Sequence, residues 1–185
     1  MSELTIEIKK KIDEDEKKRI LEINESNLVI NGGQLHYKGI LQHDFVVLVK
    51  YQQVVVGYAL LKETFLAKDD IYVMQVAVDN DFKHLGIGTK IYDYTYNYLK
   101  GYKYFTANVN PDNIISQDFH NKCGFKLIGE NNLGFVYVKN VEKNVKLELS
   151  DAKKESFKIN KSEIKQYDEC QEMKYTEKTL WSKLA

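Results

Sequence analysis

The chain has 185 residues, and its 27 Lys and Arg are balanced by 27 Asp and Glu, so that the formal net charge is zero. This length fits one domain with a short appendage. The balanced charge excludes a protein whose whole surface binds polyanions, and we expect no nucleic-acid partner. A hydrophobic content of 43% excludes a disordered chain.

The sequence has none of the patterns of a membrane span, a signal peptide or a disulfide framework. The longest apolar run, Val54–Leu61, is too short to cross a bilayer. The N-terminal residues alternate apolar and charged types and lack the unbroken apolar core of a signal peptide. Cys123 and Cys170 have neither metal-ligand spacing nor the number that a disulfide framework needs. We therefore expect a cytoplasmic protein with no membrane partner and no metal.

The first elements predicted in chain order are a strand, a helix and a strand pair. Alternation over Leu4–Ile8 predicts a strand, and acids followed by bases predict a helix over about Asp13–Ser26. Glycines between positions 32 and 39 mark a loop region with room for a short second helix. Phe45–Lys50 and Val54–Lys62 predict an antiparallel hairpin, although its turn lacks the usual Asn-Gly pair.

Strand and helix patterns alternate in the next part of the chain. The predicted elements are the strand Tyr72–Val78, a helix from Gly86 to Lys100, the strand Tyr104–Val109, a helix from Asp112 or Asn113 to Cys123, and the strand pair Leu127–Ile128 and Phe135–Lys139. The order predicts an α/β (α+β) fold class, with a mixed, mostly antiparallel sheet flanked by helices.

Two helices carry patterns that predict their buried faces. In the tyrosine-rich helix, the spacing predicts that Tyr94 and Tyr98 pack inward and that Tyr92 and Tyr96 face solvent. In the following helix, residues spaced by four predict the buried face: Ile115, Phe119 and Cys123.

The chain divides into a domain of residues 1–140 and a C-terminal extension of residues 141–185. The extension is charged, with a predicted strand at Val145–Leu149 and a predicted helix at Ile164–Leu184. Its last residues form an apolar patch. We expect the extension to pack on the domain or on a second subunit of a homodimer.

The segment from Val76 to Thr89 indicates an anion site. A strand ends, a loop follows, and Gly86 and Gly88 stand where a helix begins. Glycine lets backbone N–H groups approach a pyrophosphate at a helix N-terminus, and Lys83 adds a positive charge. The alternative is that these glycines only permit close packing of the helix on a strand. Other phosphate motifs fit poorly, because no Gly-Lys-Ser/Thr is present and seven residues separate the strand from the first glycine.

A second motif follows this segment along the chain. Lys83-His84-Leu85-Gly86-Ile87-Gly88 matches the pattern Gln/Arg-x-x-Gly-x-Gly/Ala, and the helix with Asn113, Ser116, Phe119, Gly124 and Phe125 matches Asn-x-x-Ala/Ser-x-x-Phe-Tyr-x-x-x-Gly-Phe. The region from about Phe45 to Val138 therefore resembles the GNAT family of acetyl-CoA-dependent N-acetyltransferases.

The resemblance implies acetyl-CoA as co-substrate and acetyl transfer to a primary amine, a small molecule or a protein amine, by direct attack in a ternary complex. It implies backbone contacts of the acetyl and pantetheine groups with one strand, a pyrophosphate site at the loop and helix start, and further pantetheine contacts on the second helix. The residues implied for the strand contacts are Val76, Ala77 and Val78. Those implied for the pyrophosphate are Lys83, His84, Leu85, Gly86, Ile87, Gly88 and Thr89. Those implied for the further pantetheine contacts are Asn113 and Ser116.

Two departures from the family pattern concern chemistry. Lys83 replaces the usual Arg or Gln and loses the planar guanidinium fork; the only arginine, Arg19, lies far from this motif in the sequence. His120 stands where the family commonly has the tyrosine that is thought to protonate the departing thiolate. His120 can also deliver a proton. The alternative is a polar residue at a helix end, with water as the proton donor.

The sequence offers several candidates for the general base. Some relatives place a Glu on the fifth strand, where this chain has Asn108, which cannot take a proton. Glu63, acting through water, is our candidate, and Asp79, Asp118 and Tyr72 are weaker ones. The alternative for each is a solvated surface residue. The rival to an enzyme is a GNAT-fold module that binds CoA or regulates without transferring acetyl groups.

Overall fold

The structure is a computed structural model, which describes residues 4–28, 42–63 and 69–141. These residues form seven strands, three α-helices and one 3-10 turn. The short helix predicted near residues 32–39 lies outside the described residues, as do the strand and helix predicted after residue 141.

The described chain divides into two compact units. The first comprises the described residues up to Lys62 together with Val73–Lys100, and the second comprises those of Glu63–Tyr72 and those from Gly101 onward. Elements belonging wholly or mainly to the first unit are β1 (Leu4–Lys9), α1 (Glu14–Leu28), β2 (Phe45–Tyr51), β3 (Val54–Glu63), β4 (Asp70–Val78) and α2 (Ile87–Tyr98). The second unit contains β5 (Tyr104–Val109), α3 (Ile114–Lys122), β6 (Lys126–Asn131) and β7 (Gly134–Asn140).

The first unit is built around strands in the order β1-β2-β3-β4. β2 pairs antiparallel with both β1 and β3. The turn of the β2–β3 hairpin consists of Gln52 and Gln53, whose φ angles are +49° and +67°. Positive φ at both central residues is the backbone of a type I′ turn, which matches the twist of the strands. The predicted hairpin is therefore confirmed, with glutamines in positions where Asn-Gly is the usual signal.

Helices cover both faces of these strands. On one face, Ile20 and Ile23 of α1 pack in one buried cluster with Leu48 and Tyr58. On the other face, a Cβ built on Gly57 of β3 would lie 3.0 Å from Cγ2 of Ile87 in α2. Gly57 is thus the glycine that permits close helix–strand packing in this unit.

The start of α1 is closed by two reciprocal hydrogen bonds. The Glu16 N–H donates to Oδ1 of Asp13 at 2.8 Å, and the Asp13 N–H donates to Oε2 of Glu16 at 3.0 Å. This is a capping box, in which two backbone donors at the helix start are satisfied. Burial raises the pKa of Glu16, but hydrogen bonds from Lys9, Lys50 and the Asp13 backbone outweigh it and lower that pKa to about 2.

The predicted orientation of the tyrosines on α2 is wrong. Tyr92 is 1% exposed, whereas Tyr98 is 58% exposed. The buried face is centred on Ile91 and Thr95. Thr95 is fully buried, and its hydroxyl is satisfied there by donating to the Ile91 carbonyl at 2.7 Å. A prediction that uses only apolar residues omits this threonine, and it therefore places the centre of the buried face at the wrong angle around the helix.

The second unit has strands in the order β5-β7-β6, with β7 antiparallel to both neighbours. The prediction that Ile115 lies on the buried face of α3 is wrong, since Ile115 is 81% exposed. Cys123 is buried as predicted, and the buried side chain that the spacing missed is His120. The fold class predicted from the sequence is confirmed. No helix within the described ranges is long and apolar enough to span a membrane.

Candidate functional site

The loop from Asp79 to Gly86, called the 79–86 loop below, joins β4 to α2 in the first unit. Its first residue is fixed to β3, because the Asp79 N–H donates to the Val56 carbonyl at 2.8 Å. Oδ1 of Asp79 then accepts from the Asp81 N–H at 2.9 Å and caps the 3-10 turn Asn80–Phe82. The loop is therefore held at its start and exposed from Lys83 to Gly86.

The end of the 79–86 loop bends back through residues with positive φ. His84 has φ +63° and Gly86 has φ +75°, a region that glycine adopts without strain. A Cβ built on Gly86 would meet no atom within 4 Å. The space above Gly86 is therefore open, and close helix–strand packing does not explain this glycine.

Helix α2 begins without a side-chain cap. Gly86 is its N-cap residue and makes no side-chain hydrogen bond, and the first backbone bond runs from the Lys90 N–H to the Gly86 carbonyl at 3.0 Å. Helix geometry leaves the N–H groups of Ile87, Gly88 and Thr89 without acceptors inside the helix. These three donors, together with the helix dipole, suit an oxyanion of a phosphate.

The end of β4 is half-buried at Val76, Ala77 and Val78. The Val78 carbonyl accepts from Nδ2 of Asn27 in α1 at 3.0 Å. Helix α1 thus takes part in fixing the strand end whose backbone the sequence predicts to face the pantetheine.

In the second unit, Asn113 and Ser116 form the start of α3. Oδ1 of Asn113 caps the helix by accepting from the Ser116 N–H at 3.0 Å. Both residues therefore have a structural role, and their predicted contacts with pantetheine stay predictions.

His120 lies inside the second unit and is 3% exposed. Its Nδ1 is 2.7 Å from the Ser116 carbonyl oxygen, which can only accept, so Nδ1 carries a hydrogen. Burial lowers the pKa of His120, although the backbone hydrogen bond to Ser116 partly opposes this. In the neutral ring, Nε2 then has no proton to give.

The same histidine packs into the C-terminal turn of α3. The Phe125 N–H donates to the His120 carbonyl at 3.0 Å, and the Gly124 N–H donates to the Asn121 carbonyl at 3.0 Å. This is a Schellman motif, and its apolar contact is the Phe125 ring, 5.1 Å from the imidazole between ring centres. The sequence predicts the helix end at Gly124 and Phe125, but it does not predict that Phe125 packs on His120.

Three of the four candidate bases have partners or are poorly suited to accept a proton. Glu63 is exposed and its carboxylate accepts from the hydroxyl of Tyr102. Burial and the Asp70 charge raise the pKa of Tyr72 to about 12, which disfavours its phenolate. The Asp79 carboxylate already accepts from the Asp81 N–H and pairs with Arg19.

Asn108 on β5 has a fixed amide orientation. Its Nδ2 donates to Oδ1 of Asn131 at 2.8 Å and to the Gly134 carbonyl at 3.3 Å. Oδ1 of Asn131 is an acceptor, because the Leu133 N–H also donates to it. Oδ1 of Asn108 is buried and has no hydrogen-bond partner in the described residues.

Comparison with known proteins decides the family. The sequence profile of the Acetyltransferase (GNAT) family matches residues 13–125, which is more than half of the chain. The chain belongs to the GNAT family. No curated protein matches this sequence.

Solved acetyltransferase structures share the fold at low sequence identity. An acetyltransferase from Thermus thermophilus is 19% identical, with a TM-score of 0.64 over 76% of this chain and 99% of that one. The PaiA N-acetyltransferase of Thermoplasma acidophilum, solved in complex with coenzyme A, is 16% identical, with a TM-score of 0.61 over 74% and 99%. Salmonella typhimurium yncA, solved with acetyl-CoA, is 18% identical, with a TM-score of 0.59 over 78% and 98%.

For this GNAT chain, the structure brings the predicted pyrophosphate residues together as one exposed loop and helix start. It adds residues that the motifs do not contain. Arg19 forms an ion pair with Asp79 across 60 positions of sequence, although the sequence analysis placed this arginine far from the motif. Only its being the single arginine could have drawn attention to it. No cluster of three or more His, Cys, Asp or Glu side chains in the described ranges is arranged to hold a metal ion.

Proposed function

We propose that this chain transfers an acetyl group from acetyl-CoA to a primary amine. The observation that carries the proposal is the uncapped start of α2 behind the exposed end of the 79–86 loop, residues 83–86. Membership of the GNAT family supports it, as do the solved relatives that hold coenzyme A or acetyl-CoA.

In this proposal the pyrophosphate is bound mainly by backbone groups. The N–H groups of Ile87, Gly88 and Thr89 donate to its oxygens, and Lys83 supplies the nearby positive charge. The open space above Gly86 fits this ligand, because among the described residues no atom beyond its chain neighbours lies within 4 Å of where a Cβ would stand. His84 and Leu85 contribute the exposed backbone between Lys83 and Gly86. The backbone of Val76, Ala77 and Val78 is proposed for the acetyl and pantetheine portions.

The proposed reaction forms a C–N bond and breaks a C–S bond. The nitrogen of the neutral amine attacks the thioester carbonyl carbon and gives up one N–H proton to water, the C–S bond breaks, and the CoA thiolate leaves and takes a proton. The tautomer and burial of His120 favour water as the source of that proton.

Two measurements test the proposal. Calorimetry with acetyl-CoA measures binding, and thiol release is then followed with a panel of amines that includes a polyamine, free lysine, an aminoglycoside and a peptide with a free N-terminus. We expect binding, and thiol release that depends on one class of amine. A reaction without amine gives the hydrolysis background. Absence of binding would overturn the proposal.

The second candidate is a CoA-binding or regulatory module with the GNAT fold. It is favoured by the placement of the two predicted catalytic side chains: His120 is buried with its Nδ1 hydrogen bonded to the backbone, and Glu63 is paired with Tyr102. Binding of acetyl-CoA without thiol release on any amine would support the module and contradict the transferase.

A further inference from the structure

Arg19 of α1 holds three partners with one guanidinium group. Nε donates to the Val55 carbonyl at 3.0 Å, Nη1 donates to Oε2 of Glu22 at 3.1 Å, and Nη2 donates to Oδ2 of Asp79. Lysine could not make this set of bonds, because it lacks the planar fork. The position of the only arginine is thus where a helix, a strand and the 79–86 loop meet within the first unit.

Asp79 links its ion pair with Arg19 to the rest of the 79–86 loop. Its Oδ2 receives Arg19, its Oδ1 receives the Asp81 N–H at 2.9 Å, and its carbonyl receives the Phe82 N–H at 3.0 Å. The Asp79 side chain is 15% exposed and that of Arg19 is 29% exposed, so the pair is partly shielded from water. A shielded, charge-assisted pair stabilises its local geometry more than a surface pair does.

Helix α1 makes a second contact with the same region. Nδ2 of Asn27 donates to the Val78 carbonyl, one residue before Asp79. Arg19 and Asn27 lie eight positions apart, which is about two helical turns and places them on one side of α1. This side of α1 therefore holds the end of β4 and the first residue of the loop.

We infer that Arg19 is a positioning residue for acetyl-CoA binding, acting through Asp79 on the 79–86 loop. The inference rests on the proposed function, since acetyl-CoA is the ligand that the loop is proposed to hold. If only a fraction of molecules have the loop in the binding conformation, the apparent dissociation constant rises by the inverse of that fraction. Loss of the ion pair lowers this fraction. The rate at saturating acetyl-CoA is unchanged, because Arg19 contacts no reacting group.

The test compares Arg19→Gln with the matched control Glu22→Gln. Both remove an ion pair of Arg19, but Glu22 lies on α1 itself, so the pair that it forms with Arg19 stays within the helix. We expect the Kd for acetyl-CoA, measured by calorimetry, to rise about tenfold in Arg19→Gln and to change less than twofold in Glu22→Gln. Arg19→Lys, which keeps the charge but not the fork, should fall between them.

Two further readouts separate positioning from a general loss of stability. Amide hydrogen exchange at Asp81, Phe82 and Lys83 should speed up in Arg19→Gln and in Asp79→Asn, with no change in the amides of β2. The double variant Arg19→Gln/Asp79→Asn should bind no more weakly than either single variant, because both remove the same pair. If an amine that accepts the acetyl group is found, the KM for acetyl-CoA should rise in Arg19→Gln while kcat stays within twofold.

The outcomes distinguish this inference from the proposed function. If the unaltered chain fails to bind acetyl-CoA, the proposed function is wrong, and so is the ligand assigned to the loop. If the unaltered chain binds and Arg19→Gln binds equally well, only the positioning role is wrong. A loss of affinity in Glu22→Gln equal to that in Arg19→Gln would also overturn it.

Discussion

Helices α2 and α3 both follow a strand and a loop, yet they begin in opposite ways. At the start of α3, the Asn113 side chain accepts a backbone N–H and closes the helix end. At the start of α2, Gly86 has no side chain, and the backbone donors have no cap. A cap and an anion compete for the same N–H groups, so the missing cap in the first unit is what makes its helix start available to a phosphate.

Helix α1 strengthens this contrast, because it lies in the first unit with α2 and is capped. The Asp13–Glu16 box satisfies donors at its start. Among the three described helices, α2 is thus the one for which no side-chain cap is found. The uncapped start is therefore particular to α2 and not a general feature of the helices in this unit.

The largest effect is expected from placing a negative charge at the uncapped start. Gly86→Asp should raise the Kd for acetyl-CoA about a hundredfold, because a carboxylate would occupy the space proposed for phosphate and repel it. The isosteric control Gly86→Asn tolerates the positive φ equally well but adds no charge, and its Kd should rise about tenfold or less. Calorimetry measures both. Equal affinities of the two variants would show that charge at this position does not matter.

His120→Phe should reduce stability more than catalysis. The variant keeps a ring in the buried site but loses the bond to the Ser116 carbonyl, and we expect the free energy of unfolding in urea to fall by about 1–2 kcal/mol. The kcat should fall less than threefold. A loss of about a hundredfold in kcat, at an equal folded fraction, would instead identify His120 as the general acid.

The pH dependence of stability provides an independent check on His120. Its pKa is lowered in the folded protein, so below about pH 6.5 the unfolded chain binds a proton that the folded chain does not. Stability from this group is therefore complete above about pH 6.5 and decreases as the pH falls. Thermal unfolding should show this decrease in the unaltered chain, and His120→Phe should lack that part of it.

Removing the cap of α3 should have a smaller effect. Asn113→Ala should lower the free energy of unfolding by about 1 kcal/mol, because the Ser116 N–H loses its acceptor. Asn113→Asp, which keeps a capping oxygen, should restore it. Urea unfolding measures the difference. Weaker acetyl-CoA binding in both variants would support the predicted contact between the Asn113 amide and pantetheine.

The ionised Glu16 in the capping box of α1 is expected to stabilise the fold at neutral pH and to lose this contribution in acid. The Glu16 pKa of about 2 lies below its unfolded value, so the carboxylate stabilises the fold above about pH 4.5. That contribution is lost as the pH falls from about 4.5 to about 2. Glu16→Gln should flatten this part of the curve of stability against pH. An unchanged slope would contradict the role of the Lys9 and Lys50 hydrogen bonds.

Local sequence patterns were sufficient to predict the elements and the anion motif. Alternation and helical spacing depend on neighbours within a few residues, and they placed β5 and the starts of α2 and α3 at or within one residue of where the structure has them. The spacing of Lys83, Gly86 and Gly88, together with the second motif from Asn113 to Phe125, indicates the family from the sequence alone.

Which side chains meet depends on tertiary packing. The contact of Arg19 with Asp79, the hydrogen bond of His120 to the Ser116 carbonyl in a buried site, and the inward position of Tyr92 all depend on how separate segments pack. No local period encodes such contacts. Gly57 is an example: its close approach to Ile87 fixes how α2 lies on β3, and neither residue alone predicts the other. Burial by distant segments also sets the pKa of His120, which is why its proton chemistry could not be predicted from its place in a motif.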